Sequence, residues 1–264
     1  MLSDEVIYTV ADRVASITLN RPEVRNAISP EVIGEIIRLV RLADQDPQVK
    51  CLLIRGTGEH FCGGGDVKTF SEPLSLPAEE RFDIFERRLF IGNRLPKALL
   101  DCSKPIVIAT RGAVAGAGLA LCLAADFVLC GESSYFLAAH VLIGLSLDCG
   151  LSGLLIPAMG IKAAKRLALL GEKINAEEAL AVGIVTKVIP DAFLDEEVES
   201  LIGRLAAGPG TAMAGTKKLL NDVAYPNFTE CLSGEASAVA NCAASTDFPR
   251  GVEGMLTRRT PVFD

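Results

Sequence analysis

The stretch VKCLLIRGTGEHFCGGGDVKTF, Val49 to Phe70, begins in an apolar run and leads into three consecutive glycines followed by an acid. An apolar run of that length, bounded by glycine, reads as a buried strand. A glycine run gives up more backbone entropy on folding than any other, so it marks a place where main chain approaches something closely. The candidates are a phosphate, a developing oxyanion or a tight turn. A second stretch repeats the order: KPIVIATRGAVAGAGLALCLAAD, Lys104 to Asp126, is again an apolar run, then small residues, then a helical pattern. Strand, glycine turn and helix, twice, point to α/β or α+β layering and exclude an all-α or all-β domain.

The rest of the chain agrees. EVIYTV and RVASITLN are short β-rich runs joined through ADR as a hairpin. Ser29 followed by Pro30 predicts a helix start, and Val32, Ile33, Ile36, Ile37 and Val40 then form one apolar face. PAEERFDIFERRLFIGNRL has helical spacing, FVLC reads as a strand, and INAEEALAVGIVTKVI as a short helix leading into a strand. From Asp191 onward the pattern is helical throughout. The expected organisation is a core over residues 1–190 and a helical region over 191–264.

Composition narrows the function classes. A net charge of −7 argues against a nucleic-acid binder, which carries a basic balance. The eight cysteines include no C-x-x-C pair and sit mostly in apolar runs, so buried, reduced thiols of a cytoplasmic protein are expected. With two histidines and no Cys/His cluster, no metal site is expected. MLSDEVIYTV has no basic start before an apolar core, so no signal peptide is read. The apolar stretch from Gly112 to Ala125 is shorter than the ~20 residues a bilayer requires, so no membrane association is expected.

Neither glycine segment fits a dinucleotide fingerprint: Gly63-Gly64-Gly65 lacks the spacing, and the second has Leu121 where the third glycine belongs. No G-K-[ST] follows either one. Two backbone donors aimed at one point form an oxyanion hole, each worth roughly 3 kcal/mol where charge develops in a dry site. Close packing of two small-residue segments against neighbouring strands satisfies the same pattern, and the residues alone leave both readings open.

Five ordered motifs carry a resemblance. LNRPEVRNAIS, GTGEHFCGGGDVKTF, KPIVIATRGAVAGAGLALCLAADFVL, LALLGEKINAEEALAVGIVTKVIP and STDFPRGVEGMLTRRTPVF resemble the enoyl-CoA hydratase/isomerase (crotonase) family over nearly the whole chain. The resemblance implies an α/β, crotonase-like spiral of ββα units with a C-terminal helical trimerisation region, in trimers or dimers of trimers. It implies an acyl-CoA substrate, with coenzyme A part of that substrate and no separate cofactor. Carried over by motif, the oxyanion donors fall on Gly63 and Ala117. The CoA-contacting stretch falls on Gly63, Gly64, Gly65 and Asp66, with Arg25 and Lys68 as partners for CoA phosphates.

The chain departs from the family's hydratases at both catalytic glutamates. Ala120 stands at the first position and His140 at the second. Alanine transfers no proton. What remains is His140, and Asp148 in IGLSLDCGLS, which resembles the version of this segment that carries an aspartate acid/base or nucleophile. Asp148 also fits a helix N-cap before CGLSGLLIPAM. His60 in GTGEHF matches no catalytic position and reads as a surface residue. The expectation is thus an enzyme that stabilises a thioester enolate and moves protons with His140 and Asp148, closer to an isomerase than to a two-glutamate hydratase. A CoA-independent hydrolase of diketone C–C bonds, or a non-catalytic acyl-CoA-binding member, are the alternatives.

Overall fold

In the computed structural model residues 4–263 are described, so the first three residues of the N-terminal stretch read for a leader lie outside them. The strands are β1 (Val6–Ala11), β2 (Val14–Leu19), β3 (Cys51–Gly56), β4 (Ile106–Thr110), β5 (Ala113–Ala115), β6 (Phe127–Gly131), β7 (Tyr135–Leu137), β8 (Ile174–Asn175) and β9 (Lys187–Ile189). The helices are α1 (Pro30–Gln45), α2 (Val67–Ser71), α3 (Ala78–Gly92), α4 (Arg94–Asp101), α5 (Ala117–Ala124), α6 (Leu151–Leu170), α7 (Ala176–Ala181), α8 (Leu194–Ala206), α9 (Gly210–Ala224), α10 (Phe228–Ala244) and α11 (Asp247–Thr257). One sheet has the order β1-β2-β3-β4-β6-β9, and a small sheet has the order β5-β7-β8. Only the β1–β2 pair of the large sheet is antiparallel.

The hairpin expected at ADR is present. Asp12 and Arg13 both take positive φ, 48° and 67°, as a turn matching the right-handed twist of two strands requires. The α1 start is also as expected, with Ser29 Oγ accepting from the Val32 N–H at 3.3 Å and Pro30 opening the helix.

The continuous apolar run of β3 has a physical reason: both faces of the sheet are covered. Leu52 and Ile54 turn toward α1, α4 and α5, in a core with Ile17, Ile36, Leu99 and Ile108. Cys51 and Leu53 turn the other way, onto Leu194, Val198 and Ile202 of α8. The helical region that begins at Asp191 therefore closes the second face of the sheet. A third cluster joins Phe85 and Leu89 of α3 to Val239 of α10, Phe248 of α11, and Ile143 and Leu145 in the segment after β7. That segment carries His140, so the C-terminal helices are packed against the site.

Candidate active site

Both glycine segments leave parallel strands, one directly after β3 and one after β4 and β5. An isolated bridge between Cys62 and Val114 holds them side by side. Two main-chain bonds do this, Cys62 N–H to Ala113 O and Ala115 N–H to Cys62 O, each at 3.0 Å. A side chain at either segment would separate them: a Cβ on Gly118 would lie 2.7 Å from Cys62 Cβ. Gly116, at φ 48°, provides the turn into α5.

The donor expected at Gly63 is already engaged, because its N–H donates to the Arg25 carbonyl oxygen at 2.7 Å. This corrects the reading of Gly63 as a free donor. The neighbouring Gly64 N–H faces Cys62 Sγ at 3.4 Å. Gly65 is bridged to Ile28 through its neighbours' peptide groups, Ile28 N–H to Gly64 O and Asp66 N–H to Ile28 O. Its own N–H makes no hydrogen bond among the described residues, and neither does that of Ala117 at the first position of α5. A count of glycines does not separate Gly63 from Gly65; the pairing with Arg25 and Ile28 does.

His140 and Asp148 converge. Asp148 Oδ1 lies 2.9 Å from His140 Nε2, and both side chains are largely buried. His140 is the second residue of a short 3-10 turn, Ala139–Ile143, which Gly144 ends in a left-handed conformation. Asp148 does not cap α6. That helix starts from Gly150, and its N–H groups are taken by Glu235 of α10, with Gly150 N–H to Oε2 at 2.7 Å and Ser152 N–H to Oε1 at 2.8 Å. A Cβ on Gly116 would lie 3.9 Å from His140 Cε1 and 3.6 Å from Gly64 Cα, so the imidazole edge meets the place where the two glycine segments meet.

The electrostatics follow from burial and pairing. Burial pulls the His140 pKa down, but the Asp148 charge and hydrogen bond, with a contribution from Glu235, outweigh it and leave the pKa raised. For Asp148, burial raises the pKa and the His140 charge and hydrogen bond overcome it, leaving it lowered. A carboxylate is acceptor-only, so neutral His140 carries its proton on Nε2. Nδ1 is then a bare lone pair, and that atom is buried with no hydrogen-bond partner.

The remaining candidates divide by what their side chains do. Asp66 caps α2 through the Lys68 N–H at 3.1 Å and pairs with Arg21 at 3.0 Å, so its carboxylate supports the loop. Arg21 also donates to Ala27 O at 2.9 Å. Lys68 and Arg25 are exposed. Arg25, Gly63 and Gly65 line a cavity of about 600 Å³ whose other wall includes Ala139, Arg258 and Arg259. His60 is structural: its Nδ1 accepts from Ala113 N–H at 3.2 Å, and its carbonyl oxygen accepts from Asn26 Nδ2 at 2.7 Å. Ala120 is fully buried in α5, in apolar surroundings. The Cys62 thiol is pushed up to about 12 by burial, which leaves it inert.

Comparison with known proteins bears on this geometry. A family model described as enoyl-CoA hydratase/isomerase matches residues 9–264. The trans-2-decenoyl-[acyl-carrier-protein] isomerase of Streptococcus mutans is 34% identical over 98% of this chain and 97% of its own. The 1,2-epoxyphenylacetyl-CoA isomerase of Escherichia coli is 31% identical over 98% and 97%. The crystal structure of an enoyl-CoA hydratase from Mycobacterium avium subsp. paratuberculosis superposes with a TM-score of 0.89 at 33% identity, covering 98% of each chain. The hydratase structure shares this α/β fold, which is the crotonase fold expected from the motifs. The chain belongs to the enoyl-CoA hydratase/isomerase family and is an enzyme of the hydratase/isomerase class.

Proposed function

We propose that the chain isomerises the double bond of an unsaturated acyl thioester, with His140 as the one proton-transfer group. The observation that carries this reading is the buried His140–Asp148 pair, whose Nδ1 has no partner beside the two glycine segments. In a 3-enoyl thioester, Nδ1 removes a proton from Cα, and the electron pair moves into the thioester carbonyl to form a dienolate. The same proton returns to Cγ as the carbonyl re-forms, giving the conjugated 2-enoyl thioester. One base suffices, whereas hydration requires a second group to activate water. Asp148 holds the tautomer and stabilises the imidazolium that forms.

The unpaired N–H groups of Gly65 and Ala117 are the proposed donors to the enolate oxygen. Arg25, Arg258 and Arg259 at the 600 Å³ cavity suit the phosphates of a CoA thioester and favour it over a diketone, which carries no phosphate. The exposed apolar side chains Leu219, Leu220 and Val223 on α9 suit burial between subunits, in support of a trimer or a dimer of trimers. No helix among the described residues is long and apolar enough to cross a membrane.

The test is the conversion of 3-enoyl-CoA to 2-enoyl-CoA, followed at the conjugated-thioester absorbance, with crotonyl-CoA hydration assayed alongside. Isomerisation lost in both His140→Ala and Asp148→Ala supports the assignment. Unchanged turnover in both variants refutes it.

A further inference from the structure

We infer that Glu235, a buried carboxylate on α10, is a positioning residue that keeps Asp148 available to His140. The inference rests on the proposed role of the His140–Asp148 pair. Glu235 is 4% exposed, and each of its oxygens accepts one main-chain N–H of the first turn of α6, from Gly150 and Ser152. Gly150 N–H, two residues on, is a donor that a capping Asp148 side chain would accept from, and Ser152 N–H belongs to the opening turn of the helix that Gly150 starts. With both taken by a residue from a distant helix, the Asp148 carboxylate is free to turn back to His140 Nε2.

The connecting backbone shows how closely this is held. Cys149 and Gly150 take consecutive left-handed conformations, φ 53° and 78°, and Cys149 has a side chain that disfavours it. The turn delivers Asp148 to one side and the α6 N-terminus to the other. Phe228, at the start of α10, presses on the same turn, since a Cβ on Gly150 would meet its ring at 2.5 Å. The helical region that follows Asp191 therefore reaches the site through a hydrogen-bonded carboxylate as well as through apolar packing.

The experiment uses the tautomer of His140, which is readable because the chain has only one other histidine, His60. In the full-length protein, ¹⁵N chemical shifts of neutral His140 report the Nε2–H form directly, without substrate. Glu235→Gln keeps the shape but sets an amide NH₂ against a main-chain N–H. The expected result is a mixture of tautomers, a fall of tenfold or more in kcat and an unchanged KM. Loss of the Glu235 charge alone moves the His140 titration but leaves the tautomer single. A single Nε2–H tautomer with wild-type kcat overturns the inference, as does a loss of kcat that only follows the folded fraction. If Glu235→Gln fails to fold, Glu235→Asp shortens the reach to those donors while retaining the charge, and is judged by the same two outcomes. Wild-type turnover in His140→Ala would refute the functional reading, while the tautomer measurement would still judge the role of Glu235.

Discussion

His140 Nε2 and Asp148 Oδ1 lie 2.9 Å apart, in side chains that reach each other across a turn of eight residues. The pair leaves His140 Nδ1 as a buried, unpartnered acceptor. The carboxylate orients the ring, whose Cε1 edge lies against Gly116.

Removing either member lowers kcat for double-bond migration. For His140→Ala the expected loss is about 10²–10⁴-fold, the range for a positioned general base. Asp148→Asn keeps the size but lets the ring adopt either tautomer, so kcat falls with KM little changed. Steady-state kinetics on 3-enoyl-CoA check both.

The pH–rate profile carries the raised pKa of His140. The base form is required, so kcat/KM rises with pH through an inflection above the ordinary imidazole value of about 6.5. In Asp148→Asn burial remains while the paired charge is gone, and the inflection moves to lower pH. An inflection that stays in place in Asp148→Asn refutes the coupling.

Stability is linked to the same pair. The raised His140 pKa contributes stability that is fully present below about 6.5 and is lost as pH rises through the folded value. The lowered Asp148 pKa contributes stability present above the ordinary carboxylate value of about 3.9, lost as pH falls through the depressed one. The difference in Tm between wild type and Asp148→Asn is therefore greatest between about pH 4.5 and 6 and shrinks toward pH 9. Calorimetric melts across that range test the sign.

Substitutions in the CGGGD segment separate Gly65 from Gly63. A Cβ on Gly65 would lie 2.6 Å from Phe70 Cζ, whereas one on Gly63 meets Arg25 Cβ at 3.2 Å. Gly65→Ala is expected to destabilise by about 1–3 kcal/mol through overpacking and to reduce kcat strongly. Gly63→Ala retains the N–H that bonds Arg25 O and has the milder effect on both. Equal losses in kcat would refute the assignment of the donor to Gly65.

Thiol labelling of the native protein is expected to reach Cys231 and Cys242 first, since both are only half-buried. Burial pushes Cys51, Cys62, Cys102 and Cys130 up to about 12, and it also raises Cys122 and Cys149. Rapid modification of Cys62 or Cys149, read by mass spectrometry, would contradict that burial.

Local chemistry determined much of this protein. The Ser29–Pro30 helix start, the Asp12–Arg13 turn and the apolar run of β3 each follow from neighbours along the chain, and periodicity reports them. The five motifs indicate the family, which the family model over residues 9–264 bears out. Which glycine N–H is unpaired was decided only by the tertiary structure, because Arg25 and Ile28 reach the CGGGD segment from more than 30 residues away. His60 changed from a surface residue to a main-chain partner for the same reason. Asp148 had two local readings, a helix cap or a partner for His140. Glu235, 87 positions further on, takes the Gly150 N–H that a capping Asp148 would use, and so decides between them. A sequence window records what a residue can bond, but the competitor for that bond arrives only when distant helices pack.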